Sequence, residues 1–191
     1  MTQGDAKSRI RHALLELMLE KGLDHITAKE LAERAGIGRS TFYVHYESVY
    51  DALQEIEDDF FEGMQRNTDL FRNEEFDDRY FHVPHALTIA VLRFARENGL
   101  TLRALLGPHG EERFKYKIDR LLLSDLATKA FEQGYLDVAP DEREAVSAFI
   151  TNGHKALLLY VSEHPDDIDE KRMAVLAYRM LYGAFRSKSA E

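Results

Sequence analysis

The chain has 191 residues, 45% of them hydrophobic, and no cysteine. That length suits one large or two small domains, and without thiols disulfides and thiolate metal sites are excluded. The formal net charge of −9 argues against a DNA binder until its distribution is counted: residues 1–50 hold seven Lys/Arg and seven Asp/Glu, so all the excess acid lies beyond them. A neutral head with Lys7, Arg9 and Arg11 at its front, on an acidic body, suits a protein that touches DNA at one end. No apolar run approaches the roughly 18 residues of a membrane span. The start, MTQGDAKSRIRH, lacks the apolar core of a signal peptide, so the expected location is cytoplasmic.

Asp5 to Lys21 reads as a first helix, with Ile10, Ala13, Leu14, Leu17 and Met18 on one face and Gly22 as its stop. Thr27 is placed to cap a short second helix, and Glu30 stands at the reciprocal capping-box position. Ile26 and Leu31 have the spacing of a hydrophobic staple. Gly36 permits the left-handed backbone of a tight turn, and Gly38 can open a third helix from Arg39 to His45. Phe42 and Tyr46 would face inward there, leaving Arg39, Ser40, Thr41, Val44 and His45 outward. Two short helices joined by a glycine turn, the second of them polar and cationic, have the form that enters the major groove.

The segment Ile26–Ile37, followed by Ser40-Thr41-Phe42-Tyr43 and His45-Tyr46, resembles the TetR/AcrR-type bacterial transcriptional regulators over roughly the first 55 residues. A second resemblance, in Leu105–Phe114 and Phe149–Tyr160, is to the branch that includes the dihydroxyacetone-kinase operon activators. The resemblance implies a homodimeric, sequence-specific DNA-binding regulator, more often a repressor. Its helix-turn-helix head would span residues 1–50, and a regulatory and dimerisation body 51–191. It also implies that Lys29, Arg39, Ser40, Thr41, Tyr43 and His45 meet the duplex, with Thr27 at a phosphate. Relatives commonly carry a phosphate-binding lysine where this chain has Val49, which predicts that Val49→Lys tightens DNA binding. The body would be governed by an unknown small-molecule effector or, alternatively, by a protein partner.

Ser48 reads as the cap of a fourth helix with Ala52, Leu53, Ile56, Phe60 and Met64 inward. Asn67 to Tyr80 is acidic and weakly periodic, and reads as irregular. Further helices are expected from Pro84 to about Asn98, Thr101 to Leu106, Glu111 to about Gln133, Asp141 to about Glu163, and Asp169 to about Phe185. In the last, Met173, Leu176, Met180 and Leu181 are expected inward. The fold class is all-α, with about nine helices. Phe94, Phe114, Phe149 and Tyr160 are candidates to line a ligand pocket. Ala148, Gly153, Ala156, Leu176 and Met180 are candidates for a dimer interface, the small residues allowing close helix contact. No catalytic motif, cofactor-binding motif or metal-ligand spacing stands out, so the expectation is a non-enzyme without cofactor or metal.

Overall fold

A computed structural model describes residues 3–69, 77–122, 128–134 and 136–183. The described residues form ten α-helices and no β-strand. The head comprises α1 (Gln3–Glu20), a 3-10 turn at Leu23–His25, α2 (Ala28–Arg34) and α3 (Arg39–His45). The connector α4 (Val49–Asp69) leads into α5 (Ala86–Glu97), α6 (Gly99–Leu106), α7 (Glu112–Leu122), α8 (Thr128–Glu132), α9 (Arg143–Glu163) and α10 (Glu170–Tyr182).

The head forms as its residues dictate. Ile10, Leu14, Leu17 and Met18 of α1 are fully buried, and they meet Leu31, Ala32 and Phe42 in one apolar cluster with Ile26. The same cluster continues without a break along α4, through Ala52, Leu53, Ile56, Phe60 and Met64, into α5, α6 and α7. Head and body therefore share a core. α1 packs on α6 as well as on α2, α3 and α4.

Several expectations are corrected. The segment foreseen as irregular from Asn67 is helical at its start, because α4 runs to Asp69; residues 70–76 lie outside the described part of the chain, and Asp78–Phe81 form a 3-10 turn. Gly99 does not end a helix with a gap before the next. Asn98 closes α5 and opens α6, and a Cβ on Gly99 would stand 3.0 Å from the Ser162 carbonyl of α9. Glycine sits there because two helices cross closely. The single helix expected over Glu111–Gln133 is described as α7 and α8, with 123–127 outside the described residues.

The last helix buries Leu181 as expected and packs Met173 partly against the core, but not Leu176 or Met180. α10 turns Ala174, Ala177, Tyr178, Leu181 and Tyr182 inward, whereas Leu176 and Met180 are exposed. The wheel explains this: Leu176 and Met180 are four apart on one stripe, and Ala177 and Leu181 hold the neighbouring stripe. Gly153 of α9 faces its own subunit's α10, since a Cβ built on it would clash with the Leu181 side chain. Its lack of a side chain lets α10 seat on α9. Gly153→Leu should accordingly destabilise the subunit itself, by about 1–3 kcal/mol of overpacking. Chemical denaturation checks this. An unchanged stability with a weakened self-association would instead turn Gly153 outward.

Candidate nucleic-acid interface

α2 and α3 are set by local chemistry. The Thr27 hydroxyl oxygen accepts the Glu30 N–H at 3.2 Å, capping α2. The reciprocal half of the capping box is absent, because the Glu30 carboxylate accepts from Lys21 Nζ at 2.7 Å instead. Thr27 is exposed, and its hydroxyl hydrogen remains able to donate. Gly36 takes φ 64°, a region costly for any residue with a Cβ. The Arg9 guanidinium donates to its carbonyl at 3.3 Å, so α1 steadies the turn. Gly38 starts α3 without a side-chain cap.

Phe42 is the anchor of α3 and is fully buried. Arg39, Ser40, Tyr43 and Val44 are exposed, with Ser40 and Val44 opposite Phe42. Arg39 Nη2 donates to the Tyr43 hydroxyl at 3.2 Å, and its guanidinium lies 5.5 Å from that ring's centre. The tyrosine thus holds the arginine extended along the outer face. Thr41 and His45, expected outward, are only half-exposed and flank the buried side. Lys29 is exposed on α2 and pairs with Glu33 at 3.8 Å.

The charge pattern differs from the expected basic front. Lys7 Nζ lies 2.6 Å from Glu55, and Arg11 Nη1 lies 3.1 Å from Glu55 and 2.6 Å from Asp59. Lys7 and Arg11 therefore tie α1 to α4. Arg34 is held by Glu20, whose carboxyl is lowered by that hydrogen bond. Arg9 lies 4.0 Å from Asp5. Among the described residues, Arg39 is the one Lys or Arg of the head with no carboxylate within ion-pair distance.

Tyr46 ends α3 in the core, and its hydroxyl donates to Glu55 Oε1 at 3.2 Å. Burial, reinforced by the Glu55 charge, pushes this phenol well above its ordinary range. Glu55 had no signal in the sequence: its partners lie 48, 44 and 9 residues away, and only folding brings them together.

Two further corrections concern the outer residues. Val49 is 7% exposed and belongs to the core cluster, so its side chain is not at a phosphate. The pocket candidates do not converge. Phe114 is fully buried, its ring 5.3 Å from Phe60 and 5.1 Å from Phe61, and Phe94 packs on Phe60 at 5.2 Å. Phe149 and Tyr160 are exposed on α9, 11 residues and so about three turns apart on one stripe. Ala148 and Ala156 are exposed beside them. Tyr160 and Leu176 border an open groove of about 670 Å³, together with Met173 and Arg172.

Capped α2, glycine turn and outward-facing α3 make a helix-turn-helix, the form that enters the major groove. Residues 10–55 match the family model for bacterial regulatory proteins of the tetR family. Over those residues the chain is similar to the DNA-binding segment of that family. It is 22% identical, over 188 residues, to the uncharacterised HTH-type transcriptional regulator YxbF of Bacillus subtilis (strain 168). That match covers 94% of this chain and 47% of YxbF, so the chain spans about half the length of the curated relative it matches. In fold it is similar to MexZ of Pseudomonas aeruginosa, described as a repressor responsible for antibiotic resistance, with TM-score 0.61, 21% identity, and 97% and 96% of the two chains covered. It is also similar to the dihydroxyacetone kinase operon activator DhaS, with TM-score 0.53, 15% identity, and 95% and 98% covered.

The burial of Val49 reverses the expected effect of lysine there. Val49→Lys should lower stability by about 1–3 kcal/mol, since its ammonium must leave water or unpack the start of α4. Thermal melting of the variant checks this. A preserved melting temperature with steeper salt dependence of DNA binding would restore the phosphate position.

Proposed function

We propose that the protein is a homodimeric repressor with a DNA-binding domain at 1–50 and a regulatory and dimerisation domain at 51–191. α3 reads an operator half-site in the major groove. The observation that carries this reading is Arg39: exposed, braced by Tyr43 and without a carboxylate partner in the head. Its planar fork matches the O6 and N7 acceptors of guanine. Ser40 and Tyr43 share its outer face. Thr27, Lys29, Thr41 and His45 flank that face, where hydroxyl, ammonium and imidazole can meet phosphates.

A genomic binding selection with the full chain tests the reading, and recovery of no site would end it. On the recovered operator, Arg39→Ala should cost about 1–3 kcal/mol and relax selection at one base pair. Competition binding across single-base operator variants measures both. A loss equal on operator and random DNA would assign Arg39 to a phosphate instead.

Dimerisation is supported by the apolar side chains left outside. Phe149 and Tyr160 on α9 and Leu176 and Met180 on α10 are exposed, as are Ala148 beside Phe149 and Ala156 between the α9 rings. Two heads are needed to reach successive major grooves about 34–36 Å apart. A two-fold pairing of α9 and α10 with their mates buries this apolar surface and supplies the second head. Met180, 64% exposed, touches little within its own subunit. Met180→Glu should therefore shift the protein to monomer with its melting curve little changed, as read by sedimentation over a range of concentrations. A wild-type monomer at every concentration, or a variant that stays dimeric, would overturn this interface.

A second reading of the body has one observation in its favour. Phe60, Phe61, Phe94 and Phe114 lie ring against ring, and a Cβ on Gly63 would come within 2.7 Å of Phe94. A small-molecule effector entering between α4, α5 and α7 must part these rings. Sensing through a protein partner on the body's surface needs no such opening.

A further inference from the structure

α3 carries an apolar side chain that its fold does not use. Val44 is 68% exposed, the most exposed of the large apolar residues described in this chain. At about 100° per residue, Val44 lies about 160° around α3 from Phe42, the buried anchor. It therefore points almost directly away from the core. Ser40, four residues earlier, lies on the same stripe one turn nearer the helix start, and Tyr43 and Arg39 lie about 100° and 140° round the helix from Val44. A β-branched residue is a middling helix former, so local propensity does not explain valine on the outside of a seven-residue helix. Its neighbours on the outer face are polar or tied to each other, Arg39 to Tyr43.

The major groove offers one apolar group at base-pair level, the C5-methyl of thymine. An α3 docked on its outer face brings the two Val44 methyl groups against the base edges. We propose that Val44 reads a thymine methyl in each operator half-site, on the face where Arg39 reads guanine. This inference rests on the DNA-binding reading above and adds the chemistry of a second base to it. Recognition is by apolar burial, so it discriminates thymine from cytosine, and equally from uracil, which lacks only that methyl.

The test uses the full-length protein and the operator recovered by genomic selection. Each thymine is replaced singly by uracil, symmetrically in both half-sites, and affinity is measured for the wild type and Val44→Ala. Losing one methyl contact weakens binding by about fourfold per half-site, or about fifteenfold for both. The expected result is one thymine position where uracil weakens the wild type by about that factor and leaves Val44→Ala unaffected. Arg39→Ala should keep its sensitivity at that position, which separates the two contacts. Alanine is a better helix former than valine and the site is exposed, so Val44→Ala retains the fold, and its melting temperature verifies this. A protein that binds the operator but shows no uracil effect dependent on Val44 overturns the inference alone. A protein that selects no operator overturns the DNA-binding reading, and this inference with it.

Discussion

The orientation of the recognition helix depends on one carboxylate. Glu55, near the start of α4, lies against Lys7 and Arg11 of α1 and accepts the hydroxyl of Tyr46 at the end of α3. Three side chains from two elements are thus held to one point of a third. Each exposed ion pair alone is worth little, about 0–1 kcal/mol. The arrangement matters through geometry. Phe42 and Tyr46 fix the inner side of α3 by burial, and Glu55 fixes where that side ends. The directions of Arg39 and Val44 follow from those restraints.

One and two residues from Glu55, α4 is held from the other direction. Glu57 is almost fully buried and pairs with Lys117 of α7 at 2.9 Å, while Arg113 of α7 donates to Gln54 at 2.6 Å. Lys117 also lies 5.1 Å from the centre of the Phe61 ring. Removing either member of a buried pair is costly, because the other charge is left unpaired in a poor dielectric. Positions 54 to 57 of α4 thus engage the body on one side and the head on another.

α9 and α10 show the opposite economy. Each buries one stripe, with Ile150, Leu158 and Val161 on α9 and Ala174, Ala177 and Leu181 on α10. Each leaves a second apolar stripe outside. Gly153 lets the inner stripes meet through Leu181, which spends the smallest residue of α9 on the subunit's own core. Elsewhere the body's interior is closed by aromatic rings. The candidate pocket residues accordingly divide between that interior, Phe94 and Phe114, and the outer stripe, Phe149 and Tyr160.

The sequence by itself determined what is local. The spacing Thr27–Glu30, the glycines at 36 and 38 and the pair Phe42–Tyr46 specify the cap, turn and inward face of the helix-turn-helix, because caps, φ preferences and helical periodicity act over a few residues. All-helical class and most helix bounds followed for the same reason. Only the tertiary structure decided what depends on distant partners. The capping box lost Glu30 to Lys21, the basic front of α1 turned to Glu55 and Asp59, and Val49 went into the core. Periodicity placed Leu176 and Met180 inward together with Leu181, although only Leu181 is buried. Leu181 settled that by seating against Gly153, a contact across 28 residues that no local rule encodes.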